Sequence, residues 1–312
     1  NTVKLAPGSY VANLTIANKS VRILGTGSTV TAGSAATGFE INDGADVTIV
    51  GAKITNLNTG NPGTAIDCRT VASGPTAKLS LQQVTIDAMG NGLFAYPCTV
   101  TMAETTSKLR DPSRYQIYAI APSVVNIDRS SFDVGDGLAA VGAGGVISVR
   151  NSIISNMNVT GTESALIGGS FLGNSSVGTA TATFTTFVNA PLRCAASGTP
   201  SCIAGGVSVG VCVHDSVLLT TNGADVATGA AGAACQAYYS IAMPQNAPLT
   251  GASNLVNVDP KLVDVANHNF ALSSTSPAID AAEAQPDDPF DFLGVARPQG
   301  AASDMGAFEY KP

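Results

Sequence analysis

Residues 125–154, VNIDRSSFDVGDGLAAVGAGGVISVRNSII, contain one apolar pattern twice. An apolar residue is followed by a second two positions later and by a third five positions after that. The two triplets are Val125, Ile127 and Phe132, then Ile147, Val149 and Ile154. The first two members indicate a strand with one buried face. If the next two residues form a sharp corner, the third member faces the same core from a second strand.

The pattern recurs along most of the chain at a step of about 22 residues, with insertions, which is typical of a solenoid coil. The position five residues after the first apolar residue is mostly small. A single coil cannot bury its inner face, so stacked coils share one core. We therefore predict an all-β, right-handed parallel β-helix of about 8–10 coils. An antiparallel β-sandwich also has many short strands, but it does not need triplets at one spacing. Further copies begin at Val47, Leu79, Ala180 and Val211.

The predicted organisation is one domain in two parts. Residues 1–258 form the coils, with insertions at 103–116, 189–206 and 222–251, and residues 259–312 form a C-terminal cap. The last coil of a solenoid exposes an open edge, and we expect the final segment to cover it.

Composition excludes several classes of protein. Charged residues make up 12% of the chain, about half the ~25% typical of soluble domains. A net charge of −7 argues against a nucleic-acid partner, because it repels phosphate. No apolar run approaches the ~18 residues of a membrane span.

Six cysteines without Cys-Xaa-Xaa-Cys spacing indicate disulfides rather than a zinc site. We expect neighbours to pair, although fifteen connectivities are open. Disulfides imply an oxidising compartment, and we expect that a leader was removed before Asn1. The expected pairs are Cys68–Cys98, Cys194–Cys202 and Cys212–Cys235.

Both ends of the chain resemble known protein groups. The opening VKLAPGSYVANLTIANKSVRILGTG, residues 3–27, looks like the first coils of the pectin-lyase-like β-helix superfamily. The closing motifs DPKLVD at 259–264, SPAID at 276–280 and DMGAFEY at 304–310 resemble the "choice-of-anchor Q" group of secreted bacterial proteins. The resemblance implies a right-handed parallel β-helix and export, but no single activity.

Enzymes of this superfamily cut or epimerise acidic polysaccharides. The Arg-Xaa-Pro-Xaa-Xaa-Arg run of pectate lyases is absent here, as are the Asn-Thr-Asp, Asp-Asp, Gly-His-Gly and Arg-Ile-Lys motifs of polygalacturonases. These absences weaken the enzyme hypothesis without excluding other β-helix families.

Charged residues in two places are candidate ligands for a glycan. Corner positions of successive coils stack, which brings Asp128, Arg129, Arg150 and Asn151 into one polar stripe. The 103–116 segment is the strongest candidate, because its cations can meet a uronate carboxylate and a nearby tyrosine can stack on a sugar. Its candidates are Lys108, Arg110, Arg114, Tyr115 and Tyr118.

The remaining candidates are carboxylates. Asp133 and Asp136 flank a glycine turn and are candidates either for half of an acid–base pair or for a cation site. In the tail, we expect Arg297 to bridge buried carboxylates. Those carboxylates are Asp280, Asp304 and Glu309. A low-ranked calcium site comprises Asp287, Asp288 and Asp291.

We therefore expect a secreted or cell-surface protein that needs no cofactor and has a structural, adhesive or glycan-binding role. Two alternatives stay open. One is a polysaccharide lyase or glycoside hydrolase acting on an extracellular glycan. The other is a self-assembling filament subunit, whose partners are copies of itself.

Overall fold

The computed structural model describes residues 1–33, 37–58, 63–71, 74–141, 144–157, 166–169, 178–194, 202–203, 206–207, 210–229, 235–246, 249–285 and 287–312. For residues 166–169, 193–194, 202–203, 206–207, 210, 228–229, 235 and 250, it describes the backbone only. No helix within these ranges is long and apolar enough to cross a membrane.

The coils form three parallel sheets, A, B and C. Among the described residues, each of the first nine coils contributes one strand to each sheet in that order, and the last two coils contribute strands to sheets A and B only. Sheet A contains Thr2–Lys4, Ser20–Leu24, Asp46–Val50, Ala77–Gln82, Cys98–Ala103, Val124–Asp128, Val146–Arg150, Thr179–Thr183, Gly210–His214, Cys235–Tyr238 and Leu249–Thr250. Sheet B contains Gly8–Val11, Ser28–Thr31, Lys53–Asn56, Thr85–Ala88, Thr106–Leu109, Ser131–Gly135, Ile153–Met157, Thr186–Val188, Val217–Leu219, Ile241–Met243 and Leu255–Val256. Sheet C contains Leu14–Ala17, Phe39–Asn42, Ile66–Arg69, Leu93–Tyr96, Tyr115–Ile120, Gly137–Val141, Leu166–Gly169, Leu192–Cys194 and Ala227–Gly229.

This architecture confirms the predicted parallel β-helix, and the strand register shows why the triplets recur. Val125 pairs with Ile147, Ile127 with Val149, and Phe132 with Ile154 in the following coil. All six side chains are buried in one continuous core. A triplet therefore supplies two core residues from sheet A and one from sheet B.

The corner between sheets A and B is the sharp one that the sequence predicted. From Gly51 to Ser240, two residues join each sheet A strand to its sheet B strand. The first of them is left-handed, with φ of 42° at Arg129 and 46° at Asn151. The second is often a buried serine, and Ser152 Oγ accepts from the Ser130 amide at 3.1 Å. A small polar residue suits this position because its hydroxyl satisfies an amide of the preceding coil.

Two of the segments predicted as insertions contain regular strands of the β-helix. Residues 103–116 contain the sheet B strand Thr106–Leu109 and a short turn. The described parts of 222–251 contribute strands to all three sheets. The inward-facing residues of 222–251 are small, for example Ala237 and Ala242. The apolar triplet was therefore not recognisable in this part of the sequence. Residues 189–206 are described only in part, and they include a sheet C strand and a short antiparallel pair, Cys202–Ile203 with Gly206–Val207.

The C-terminal segment lies along the outer face of sheet B. It contains the antiparallel strands Leu262–Asp264 and Asn269–Leu272, joined by the 3₁₀ helix Val265–Asn267. It also contains an isolated bridge between Phe290 and Ala296. Leu272, Ala278 and Met305 pack on Val217 and Ile241, whose side chains point away from the main core. This segment thus gives the outer face of sheet B an apolar cover over its later coils.

One predicted disulfide is present among the described side chains. Cys68 and Cys98 are bonded, with their Cα atoms 5.8 Å apart. Cys212 is also disulfide-bonded. The side chains of Cys194, Cys202 and Cys235 lie outside the description, so the other two pairings stay predictions.

Candidate functional site

The structure distributes the predicted site residues over separate surfaces rather than one groove. Lys108, Arg110 and Asp133 lie on the outer face of sheet B. Tyr115 and Tyr118 belong to sheet C. The corner residues Asp128, Arg129, Arg150 and Asn151 lie where sheet A turns into sheet B.

On sheet B, the cations project above carboxylates that lie deeper in the face. Arg110 donates from Nε and Nη2 to the two oxygens of Asp87, at 2.7 and 2.9 Å. Lys53 reaches the same carboxylate at 3.3 Å, and Lys108 reaches Asp133 at 3.3 Å. Apart from Asp133, these residues border a groove of about 530 Å³. Each predicted cation of this face therefore already has a carboxylate partner.

Both carboxylates of this face are held in their ionised form. The hydrogen bond from Arg110 lowers the pKa of Asp87. Burial alone would raise the pKa of Asp133, but hydrogen bonds from Asn156, Ser155 and Lys108 outweigh it and lower that pKa. A general acid needs a raised pKa. Neither residue is therefore suited to protonate a leaving group.

Arg114 and Asp136 lie away from this face. Arg114 pairs with Asp111 at 3.4 Å inside the short turn after Leu109. Asp136 is buried in the single-residue connection between sheets B and C, and its amide donates to the carbonyl of Arg114. Arg114 and Asp136 each immediately precede a sheet C strand, Tyr115–Ile120 and Gly137–Val141, rather than lying within a sheet B strand.

The corner residues form a network that reaches the C-terminal segment. Arg129 contacts Glu104 of the preceding coil at 3.0 Å. Asn151 Nδ2 lies 3.2 Å from Asp128 Oδ1 and 3.3 Å from Asp288 Oδ1. Arg150 also reaches Asp288, at 3.2 Å. The contacts of Asn151 and Arg150 with Asp288 tie the tail to the coils, which is a structural role.

Two of the three candidate calcium ligands, Asp288 and Asp291, have protein partners. Asp288 faces Arg150 and Asn151, and Asp291 accepts from the backbone amides of Leu293, Val295 and Glu309. Within the described part of the chain, no three His, Cys, Asp or Glu side chains are grouped to hold a metal ion. Burial raises the pKa of Asp288 despite the nearby Arg150.

Arg297 lies at the centre of the tail. Its Nη1 is 2.7 Å from Glu309 Oε2, and its guanidinium lies 4.2 Å from the centre of the Phe184 ring. Burial lowers the pKa of Arg297 and raises those of Asp304 and Glu309. Asp280 Oδ1 accepts from the amide of Ala302, and Asp304 Oδ1 accepts from that of Asp280.

Sheet C carries the surface that most resembles a binding site. Phe94 and Tyr118 occupy the same outward position in successive coils, and their rings stack with centres 5.8 Å apart. Tyr115 lies 4.8 Å from Tyr118 by ring centres, and Tyr96 is 47% exposed on the neighbouring outward position. We name Phe94, Tyr96, Tyr115 and Tyr118 the aromatic stripe.

A fixed polar pair stands at one end of the aromatic stripe. Both Nε and Nη2 of Arg69 donate to the buried carboxylate of Asp67, the former at 2.9 Å. The guanidinium also lies 5.6 Å from the centre of the Phe94 ring. Asp67, Phe94 and Tyr118 hold one outward column, and Arg69 lies beside it. Planar ion pairs next to aromatic rings offer both hydrogen bonds and apolar contact.

The connections on either side of sheet C vary more than those at the A–B corner. They range from the single residues Pro97 and Asp136 to the stretch 195–209. In solenoids, length variation between repeats often maps to the binding face. We therefore choose the aromatic stripe as the candidate binding surface, rather than the outer face of sheet B or the A–B corner.

The sequence patterns did not indicate Asp67, Arg69, Phe94 or Tyr96 as site residues. The triplet describes sheets A and B only, and the third strand of each coil follows connections of irregular length. The alternation within Leu93–Tyr96 is the signal that could have revealed it, because Leu93 and Ala95 are buried while Phe94 and Tyr96 face outward.

Comparison with known proteins gives the fold and little more. No protein-family model and no curated protein sequence matches the chain. A solved structure, the crystal structure of pectate lyase Pel9A, is similar with a TM-score of 0.54 and 16% sequence identity. The similarity covers 99% of this chain and 88% of that one. It supports a parallel β-helix, whereas the resemblances to the pectin-lyase-like superfamily and to the choice-of-anchor Q group stay predictions.

Proposed function

We propose that this protein is a secreted or cell-surface glycan-binding protein whose binding surface is the aromatic stripe with the Asp67–Arg69 pair. The observation that carries the proposal is the row of rings on successive coils beside that pair. Sugars present apolar C–H faces and hydroxyl groups together, which such a surface complements. Export is supported by the Cys68–Cys98 disulfide.

The neighbouring charges favour binding over cleavage. Both donors of the Arg69 fork are engaged with Asp67, so this carboxylate already accepts two hydrogen bonds. Hydrolysis needs a protonated acid paired with a second carboxylate. Glu40 is the register partner of Asp67 in the preceding strand and accepts from Thr15 Oγ1, so both carboxylates of this column are engaged as hydrogen-bond acceptors.

Binding to a panel of immobilised plant, algal and bacterial polysaccharides tests the proposal, followed by mass spectrometry of the recovered polymer. We expect retention of at least one intact glycan. Tyr96→Ala and Tyr118→Ala each weaken that binding by about tenfold, the loss of one aromatic contact. Phe290→Ala is the matched control, because this ring is 50% exposed on the C-terminal segment.

Two outcomes contradict the proposal. If both tyrosine variants bind as the wild type does, the aromatic stripe is not the site. If fragments accumulate, the protein is an enzyme: products lighter than hydrolysis products by one water indicate a lyase, and products that carry the added water indicate a hydrolase.

A further inference from the structure

A second concave surface lies where the C-terminal segment meets sheet B. It is a cavity of about 340 Å³, and we name it the junction groove. Its lining residues are Glu104, Thr105, Thr106, Arg129, Ser131, Phe292 and Leu293. The junction groove shares Thr106 with the larger groove of sheet B, and it does not include any residue of the aromatic stripe.

One wall of the junction groove is apolar. Phe292 is half-buried, and its ring is held edge-on against Phe308 with centres 5.5 Å apart. Leu293 beside it is 70% exposed. It differs in this from the apolar side chains with which the same tail packs against sheet B. A fixed aromatic ring next to an exposed leucine offers an apolar contact surface to a ligand rather than to the protein core.

The opposite side of the junction groove is polar and supplies donors and acceptors together. Arg129 Nη2 and Glu104 Oε1 are 3.0 Å apart, and Gln83 Nε2 donates to the other Glu104 oxygen at 2.8 Å. The floor carries two hydroxyls, with Ser131 Oγ donating to Thr106 Oγ1 at 3.3 Å. Vicinal hydroxyls of a sugar can accept from such a guanidinium and donate to such a carboxylate.

The charges around Arg129 favour an uncharged ligand over an anionic one. Arg129 faces two carboxylates, Glu104 at 3.0 Å and Asp128 at 3.4 Å, so its charge is more than compensated. An anionic ligand would meet a net negative wall, which disfavours uronates and sulfated sugars. An uncharged ring with one apolar face and several hydroxyls suits both walls, and the cavity volume fits one or two sugar units.

We propose that the junction groove is a second carbohydrate site, which binds a neutral sugar ring between Phe292 and the Arg129–Glu104 pair. This inference goes beyond the proposed function, because it uses another face of the molecule. Two sites on different faces would let one molecule bridge two glycan chains and gain avidity.

Saturation-transfer-difference NMR with methyl glucopyranoside, methyl galactopyranoside and methyl mannopyranoside tests the inference, with methyl glucopyranosiduronate as the charged comparison. We expect saturation of at least one neutral glycoside and none of the uronate. Phe292→Ala weakens the binding by about tenfold, and Leu293→Ser weakens it less. Tyr118→Ala leaves it unchanged, which separates this site from the aromatic stripe.

A second variant obstructs the junction groove from the side formed by sheet B. Ser131→Gln fills the floor from sheet B without touching the tail, so it blocks the groove even if Phe292→Ala loosens the tail. Phe290→Ala is the control on the tail, because Phe290 does not line the cavity. The inference is overturned if Ser131→Gln and Phe292→Ala both bind the neutral glycosides as the wild type does. It is also overturned if only the uronate binds or if none of the four glycosides binds. If the polysaccharide panel alone gives no binding, that result contradicts the proposal for the aromatic stripe and leaves the junction groove unaffected.

Discussion

Arg297 and Glu309 form an ion pair inside the C-terminal segment, with Nη1 and Oε2 2.7 Å apart and side chains that are 1% and 0% exposed. The guanidinium also donates to the carbonyls of Asp304 and Gly306. This arrangement holds together three stretches of a tail that has little regular secondary structure of its own. The tail therefore depends on one buried cation.

Replacing Arg297 by methionine should lower the free energy of unfolding by about 3–5 kcal/mol, because it leaves Glu309 buried without its counter-charge. Urea denaturation of the purified variant measures the loss. Glu309→Gln in the Arg297→Met background should recover part of it. A single variant as stable as the wild type would show that the pair does not hold the tail.

The hydroxyl of Ser216 is predicted to stabilise the A–B corner. Its Oγ accepts from the amide of Thr185 at 3.1 Å and donates to the carbonyl of His214 at 2.7 Å. Ser216→Ala leaves that buried amide without a partner, so unfolding should become easier by about 1–3 kcal/mol. Ser80→Ala, on the outer face of sheet A, is the control and should change the urea midpoint little. Equal midpoints for both variants would contradict the stabilising role of the Ser216 hydroxyl.

The pH dependence of stability should reveal the contact between His214 and the tail. His214 Nδ1 lies 2.7 Å from Asp215 Oδ2, and Nε2 lies 3.3 Å from Glu283 Oε2. Burial lowers the pKa of His214, but the two carboxylates outweigh burial and raise it. A raised pKa means that the folded state binds the proton more tightly than the unfolded state does. The stabilisation is therefore complete below the unfolded pKa of about 6.5 and is lost as pH rises through the folded value.

Urea denaturation at pH 5.5 and pH 9 measures this effect, with His214→Gln as the reference. The wild type should exceed the variant in stability by more at pH 5.5 than at pH 9. The subtraction is needed because burial also raises the pKa values of Asp288, Asp304 and Glu309, which titrate in the same molecule. A difference that is the same at both pH values would show that His214 contributes only packing.

The sequence predicted the core better than the surfaces. Val125, Ile127 and Phe132 follow a fixed spacing because the A–B corner has a fixed length. The buried residues of sheets A and B therefore recur in the sequence as a recognisable apolar triplet. The third strand follows connections of irregular length, and its inner positions hold small residues such as Ala95 and Ala119. The aromatic stripe was therefore visible only as Tyr115 and Tyr118, without the Asp67–Arg69 pair. The junction groove joins Arg129 to Phe292, which no local pattern connects.

One outward column of sheet B allows positions covered by the C-terminal segment to be compared with uncovered positions. Thr106, Ser131, Ile153, Thr186 and Val217 occupy one outward position in successive strands. The first two line the junction groove, whereas Val217 is 0% exposed beneath the tail. At Gly306, whose φ is 93°, an added Cβ would lie 2.8 Å from Val217 Cγ2, so the contact has no spare room.

Val217→Thr should therefore lower the free energy of unfolding by about 1–3 kcal/mol, because it buries a hydroxyl of nearly the same size without a partner. The reciprocal change Thr106→Val, at the same position of an uncovered coil, should shift stability by less than about 0.5 kcal/mol. Thermal and urea unfolding of both variants provide the comparison. Equal effects would mean that the tail does not seal the outer face of sheet B, and the apolar residues of that column would then need another explanation.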